Sequence, residues 1–402
     1  MNQLTAGAEK TENIADEDKI LILHITTDLK YGGAQMMLLK LLASTNTKRF
    51  QPVVVSLAGP GDLTSKIQEL GIHVYSLNVN PAIPSPLKLI QLVRFTRKLR
   101  PAIVQTWMYH ADLFGGIAAK IAGAKQIVWN IRNSGLAPES TKLRTRITVH
   151  ICSLLSHVVP NKIITNSSVA ASTHKANGYR KNIFRIIPNG FDPTILKADE
   201  STKSAVRKEL GLAHESRLIG LIARFHPQKN HRGFLEAAAI LNKQRKGQVY
   251  LLAGGEVDPG NSQLKGWIEQ LDLSKSVILL GQRDDIPRII ASLDICALSS
   301  SYGEAFPNVI GEAMCCEVPV VTTDVGDSAR IVGDAGKIVP IDQPELMAEA
   351  WHFLLSLNEG QRQTYGELGR QRILDYYSLA KITSMYENFY TELLEQELAE
   401  EK

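Results

Sequence analysis

Glu304 and Glu312, separated by seven residues, lie in the segment Ser299-Ser300-Ser301-Tyr302-Gly303-Glu304-Ala305-Phe306-Pro307-Asn308-Val309-Ile310-Gly311-Glu312-Ala313-Met314. The apolar run before it reads as a strand and the run after Pro307 as a helix, so Glu304 falls in the loop and Glu312 in the opening turns. Pro307 and Asn308 stand where the helix starts, and first-turn N–H groups have no intrahelical partner. Such a terminus attracts anions, and a pyrophosphate suits it. Carboxylates on either side would accept hydrogen bonds from sugar and ribose hydroxyls, and ionised acceptors make the stronger bonds. A second segment, Ala223-Arg224-Phe225-His226-Pro227-Gln228-Lys229-Asn230, places two cations just past another strand. Arg224 and Lys229 would balance a diphosphate and stabilise it as it departs. Each feature also has a plainer reading: solvated acids at a loop-to-helix transition, and a basic surface loop.

The elements that would carry these side chains alternate at the pace of a parallel sheet with crossover helices. The first half reads as a strand over 19–26, a glycine turn at Tyr31-Gly32-Gly33, a helix over 34–43 and a strand over 52–56. Strands follow near 73–76, 102–105, 126–131, 162–165 and 183–187, with helices at 62–70, 86–100, 110–122 and 142–158. Turn formers cluster at Pro188-Asn189-Gly190-Phe191-Asp192-Pro193, and the alternation restarts at 218–223. An α/β chain of two doubly wound domains is expected, 19–192 and 193–375. Residues 1–18 read as a loose polar tail and 376–402 as a helix crossing back to the first domain. Ligands of such sheets lie outside the carboxyl ends of the strands, so two domains facing across a cleft would let two substrates meet.

With 402 residues, 44% hydrophobic and 21% charged, the chain can build a core in each half. A net charge of +4 is too weak to argue for nucleic acid, and no such partner is expected. Cys152, Cys296, Cys315 and Cys316 lack zinc-ligand spacing and read as reduced thiols of a cytoplasmic protein. Met1 to Asp18 has no apolar core of a signal peptide. The longest apolar stretch, Ile147 to Pro160, falls short of the ~20 residues a bilayer span needs. No Gly-x-Gly-x-x-Gly turn follows the first strand, which removes an oxidoreductase reading.

Taken in order, Arg224 with Lys229, Gly254-Gly255, Gly281-Gln282-Arg283, Glu304 to Glu312 and Val318-Pro319-Val320-Val321 resemble the retaining glycosyltransferases of family four. The resemblance runs from Ile20 onward and rests on the ordered set, not on any one piece. It implies the GT-B architecture, two Rossmann-like domains with the active site between them, and a nucleotide-sugar donor, with a UDP-sugar expected. The donor site it implies comprises Gly32, Gly33, Arg224, Lys229, Gln282, Arg283, Glu304, Phe306, Pro307, Asn308, Val309 and Glu312, the backbone at Gln282 and Arg283 reading the base. The implied catalytic group is His110, Arg224, Lys229 and Glu304. As a bare residue His110 fits a helix start or a core position; the match of Gln105-Thr106-Trp107-Met108-Tyr109-His110 places it at the reacting sugar. Tyr31-Gly32-Gly33-Ala34-Gln35 matches the glycine loop that approaches donor phosphates or the acceptor. The chain departs from the pattern at Glu317, where the family has glycine, and at Val325-Gly326-Asp327-Ser328, where it has paired glycines. Both departures bear on which donor fits.

The resemblance assigns Glu304 to sugar hydroxyls, not to a covalent nucleophile. A front-face substitution remains, in which the departing diphosphate takes the acceptor's proton. With no Asp-x-Asp pair at a strand end, no metal and no other cofactor is expected. The helix over 86–100 carries Leu89, Leu92, Val93 and Leu99 on one stripe, with Lys88, Arg94, Arg97, Lys98 and Arg100 largely elsewhere. Lys142, Arg144 and Arg146 precede a second apolar helix. The stripe reads first as a sheet-packing face, while a basic exterior suits anionic lipid. The expected partners are thus a nucleotide-sugar donor and a lipid-linked or polysaccharide acceptor, met peripherally at the inner face of the cytoplasmic membrane. A small soluble acceptor such as a sugar phosphate, a nucleotide-sugar epimerase of the same fold and a non-catalytic binder stay open as alternatives.

Overall fold

The run Ile20–Thr26 offers water no polar side, and it forms a central strand of a parallel sheet. The structure is a computed structural model that describes residues 16, 18–79, 85–136, 142–213 and 215–400. Of the expected tail, all but Asp16 and Asp18 lie outside them. The chain divides after Gly190 and after Ser378: one unit holds the chain up to Gly190 and again from Leu379, the other Phe191–Ser378.

In the first unit the strands are β1 (Ile20–Thr26), β2 (Phe50–Ser56), β3 (His73–Ser76), β4 (Ile103–Trp107), β5 (Gln126–Ile131), β6 (Lys162–Thr165) and β7 (Phe184–Ile186). Between them run α1 (Gly33–Ser44), α2 (Thr64–Glu69), α3 (Pro86–Leu99), α4 (Tyr109–Ala122), α5 (Leu143–Leu155) and α6 (Ser168–Ala176). The order β3-β2-β1-β4-β5-β6-β7 reverses direction between β1 and β4. There Thr26 pairs with Trp107, so the loops after both strands leave side by side.

The second unit contains α7 (Glu200–Glu209), β8 (Arg217–Ile222), α8 (His231–Gln244), β9 (Gln248–Ala253), α9 (Ser262–Gln270), β10 (Val277–Leu279) and α10 (Ile286–Ala291). It continues with β11 (Ile295–Leu298), α11 (Asn308–Cys315), β12 (Val320–Thr323), α12 (Ser328–Val332), β13 (Gly336–Val339), α13 (Pro344–Ser356) and α14 (Glu359–Tyr376). Its order, β10-β9-β8-β11-β12-β13, reverses between β8 and β11. The charged stretch after the break forms helix α7, capped by Asp199 accepting from Ser201 and Thr202.

The last helix, α15 (Leu379–Glu400), belongs to the first unit. Its Ile382, Tyr386, Phe389, Tyr390 and Leu393 share a core with Met37, Leu38, Phe50 and Val54, so it covers a face of the first sheet. All four cysteines are buried and free.

Candidate active site

Each sheet has one switch point; Gly32, Gly33 and His110 follow the strands at one, Arg224, Lys229 and Glu304 those at the other, while Gln282 and Arg283 follow the edge strand β10. In the second unit β8 and β11 pair through Ile219–Ile295 and Gly220–Cys296. The loop after β8 carries Arg224 and Lys229; the loop after β11 carries Glu304. Lys229 Nζ lies 2.5 Å from Glu304 Oε1, and the Ser300 hydroxyl donates to the same oxygen at 2.7 Å. Glu304 is buried, and the Lys229 side chain keeps 19% of its exposure. Arg224 is exposed, with no carboxylate within salt-bridge distance among the described residues.

The loops hold one another. Ser299 Oγ donates to Lys229 O at 2.8 Å, Ser301 N–H to Gln228 O at 3.0 Å, and Thr323 Oγ1 to Ser300 O at 2.6 Å. Asp342 Oδ1 accepts from both Ser301 Oγ (2.6 Å) and Asn230 Nδ2 (3.1 Å). Two glycines permit the close approaches. A Cβ at Gly254 (φ 152°) would strike the Ala223 carbonyl, and one at Gly326 (φ 63°) the Glu304 carbonyl. Gly326, the glycine kept where the resembled pattern has a pair, thus lies against the Glu304 main chain.

Helix α11 starts at Asn308, as its residues predict, with Pro307 at the N-cap and no side chain capping it. Its first turn carries no acid, and Glu312 is half-buried in the second. The Phe306 ring lies in the core, 6.1 Å from the Phe191 centroid and 5.6 Å from that of Tyr377. Pro307 is buried, while Asn308 and Val309 are half-buried. Gln282 is exposed just past β10. The Arg283 guanidinium is taken up by Asp285, at 2.7 and 2.8 Å, and by Glu209 at 3.3 Å. That guanidinium, first among several causes, holds the Asp285 carboxyl down at about 2. What Arg283 can offer a base is its main chain.

In the first unit Gly32 caps α1, and a Cβ there would press on the Gln35 side-chain oxygen. Gln35 Nε2 in turn donates to Asp28 Oδ1 at 3.0 Å. His110 is the second residue of α4, and the residue capping that helix, Met108, has φ 73° and ψ 157°, a backbone region that favours glycine. Strain of that kind collects at functional turns, and no pattern of residue types announces it. Burial lowers the half-buried His110 imidazole from its ordinary range, which favours its uncharged form. Asp112, two residues on, is fully buried, accepts from Thr106 Oγ1 at 2.6 Å and is pushed up to about 7 by burial. Ser300, Met108 and Asp112 were not marked by the sequence, although the Ser299-Ser300-Ser301 run could have pointed to the first.

Among the described residues no three His, Cys, Asp or Glu side chains converge as a metal site. No helix among them is long and apolar enough to cross a membrane.

Known proteins resemble both units. Residues 31–195 match glycosyltransferase family 4, and residues 202–372 match the glycosyl transferases group 1. The UDP-Gal:alpha-D-GlcNAc-diphosphoundecaprenol alpha-1,3-galactosyltransferase of Escherichia coli is 27% identical over 331 residues, 78% of this chain and 82% of that protein. The capsular polysaccharide biosynthesis glycosyltransferase CapM of Staphylococcus aureus is 25% identical over 330 residues, 81% and 86%. The crystal structure of Anabaena Alr3699/HepE in complex with UDP superposes with a TM-score of 0.81 at 23% identity, covering 92% of this chain and 99% of that one.

Proposed function

From the premise that this chain belongs to the family 4 glycosyltransferases and has their GT-B fold, we propose that it moves a hexose from a UDP-sugar to a hydroxyl of a lipid-linked saccharide, with retention at the anomeric carbon and without a metal ion. The observation that carries this reading is the Lys229–Glu304–Ser300 cluster at the β8/β11 switch point. A diphosphate placed there would meet Arg224 and Lys229, while Glu304 offers an ionised acceptor for sugar hydroxyls. The bond from the anomeric carbon to the diphosphate oxygen breaks as the acceptor oxygen bonds to that carbon. The acceptor's proton passes to the departing phosphate oxygen, and UDP leaves. Positioning and charge stabilisation supply the catalysis, with no covalent intermediate.

The choice of donor and acceptor is supported by the E. coli relative, whose name gives UDP-Gal and a diphosphoundecaprenol-linked sugar. Peripheral contact with an anionic membrane surface at the cytoplasmic side is supported by α5. Leu143, Ile147, Ile151 and Leu154 recur on one face of that helix and stay exposed, beside exposed Lys142, Arg144 and Arg146.

The test is a panel of UDP-, GDP- and ADP-hexoses with a lipid-diphosphate-linked N-acetylhexosamine acceptor, followed by UDP release and by product stereochemistry. Transfer from one UDP-sugar with an α-linked product, undiminished in EDTA, is the expected result. Activity abolished by EDTA and restored by magnesium would overturn the metal-free mechanism. Transfer to a soluble sugar phosphate but not to the lipid would overturn the acceptor, and C2 inversion of the sugar without UDP release would replace transfer by epimerisation.

A further inference from the structure

Within the first unit, α3, α4 and α5 line an open-sided cavity of about 590 Å³, in the range of ligand pockets. Its walls include Leu89 of α3, Leu113, Phe114 and Ile117 of α4, and Ile147 and Ile151 of α5. His110 also lines the cavity, and His110, Leu113, Phe114 and Ile117 share one face of α4 at helical spacing. The apolar wall therefore starts at the strand end and runs about 10 Å along the helix, at 1.5 Å per residue.

Two features identify the occupant. Ile147 and Ile151 belong both to the cavity wall and to the exposed stripe of α5, where Leu143 and Leu154 are 67% and 63% exposed. The wall is thus continuous with an apolar surface that reaches solvent. The charged lining residue is Arg144, and no carboxylate lines the space among the described residues. An apolar channel with a cation beside it and no acid suits an amphiphile with an anionic head.

We propose that this cavity holds the hydrocarbon chain of the acceptor lipid, its phosphate paired with Arg144 and its saccharide emerging at His110. This rests on the lipid-linked acceptor argued above and gives that acceptor its binding residues. The loops of Arg224, Lys229 and Glu304 lie in the other unit, so the two readings fail separately.

The probe is dansyl-labelled farnesyl diphosphate, titrated into the full chain and read by its fluorescence, with UDP affinity measured by calorimetry on the same samples. Saturable probe binding that equimolar inorganic pyrophosphate does not displace is expected. Ile117→Trp, which fills the cavity, and Ile147→Glu, at an exposed position that tolerates charge, should each weaken the probe at least tenfold. Arg144→Gln should weaken it severalfold and flatten its salt dependence. UDP affinity should stay unchanged in all three. Probe binding unaffected by both Ile117→Trp and Ile147→Glu, or displaced by pyrophosphate, overturns the assignment. A wild-type chain that binds the probe but not UDP would leave the cavity assigned and sink the donor reading instead.

Discussion

One oxygen of Glu304 receives both the Lys229 ammonium and the Ser300 hydroxyl, and this arrangement decides how the two residues can be separated by mutation. Lys229→Ala leaves the buried carboxylate without its cation and removes a charge that the leaving diphosphate needs. Losing one such donor costs about 10²–10³ in rate, so kcat/KM for UDP release should fall at least a hundredfold. Lys229→Arg should not restore it, because a planar fork does not replace a point charge at a 2.5 Å contact. Ser300→Ala removes a neutral donor and should cost about fivefold, in line with about 1 kcal/mol for such a bond. Steady-state kinetics on the three variants, with thermal melts to show that each is folded, check the order. Equal losses for Ser300→Ala and Lys229→Ala would mean that the cluster only holds the loop. Lys229 and Glu304 were legible in the sequence because a cation and an acid each followed an apolar run that had to be a strand. Phe306 and Arg283 sit in equally suggestive segments, but the ring turns into the core beside Phe191 and the guanidinium is claimed by Asp285 and Glu209. Side-chain direction depends on partners far along the chain, which spacing does not contain.

At the scale of elements, the site depends on loops that touch through their backbones. Gly326 opens the turn after β12 at φ 63°, and a side chain there would run into the Glu304 carbonyl. Gly326→Ala meets both left-handed strain and that collision, so it should destabilise the second unit by about 1–3 kcal/mol. It should also weaken the UDP-sugar at least tenfold by shifting Glu304 from the sugar hydroxyls. Urea unfolding together with calorimetry on the UDP-sugar measures the two effects, and an alanine variant with unchanged UDP-sugar affinity would show that Glu304 is not held by this turn. The alternation of strands and helices was readable from apolar runs such as Val53, Val54 and Val55, which have no polar face. Helices α6, α7 and α12 were not, being short or dominated by charge, with the partners that stabilise them distant in sequence. The exposed stripe of α5 has a further lesson. Leu143, Ile147, Ile151 and Leu154 repeat as a buried face would, and periodicity defines a face without saying what covers it.

The molecule as a whole carries buried histidines in both units, and these set its response to acid. Burial pushes His24 down to about 3, and its Nδ1 accepts from Trp107 Nε1 at 3.2 Å, so the native ring is neutral. Burial likewise takes His174 of the first unit and His231 of the second to about 4. From their ordinary 6.5 down to those values, the unfolded chain takes up a proton that the native state refuses. Stability then drops as pH falls, by up to about 1.4 kcal/mol per pH unit for each ring. Asp112 works the other way. Raised to about 7 from 3.8, it holds a proton in the native state that the unfolded chain has released, so it adds stability as pH falls through that window. Two rings outweigh one carboxyl in the first unit, and His231 has no such opponent in the second. Asp199 and Asp285, held at about 2, add their own loss only below pH 3.8. The urea midpoint should therefore be nearly level from pH 8 to 7 and fall steadily from 6.5 to 4. His24→Asn should flatten that slope for the first unit alone, because the proton-refusing ring is gone. A midpoint that rises on acidification to pH 4.5 would mean that Asp112 dominates and that the native rings are already charged.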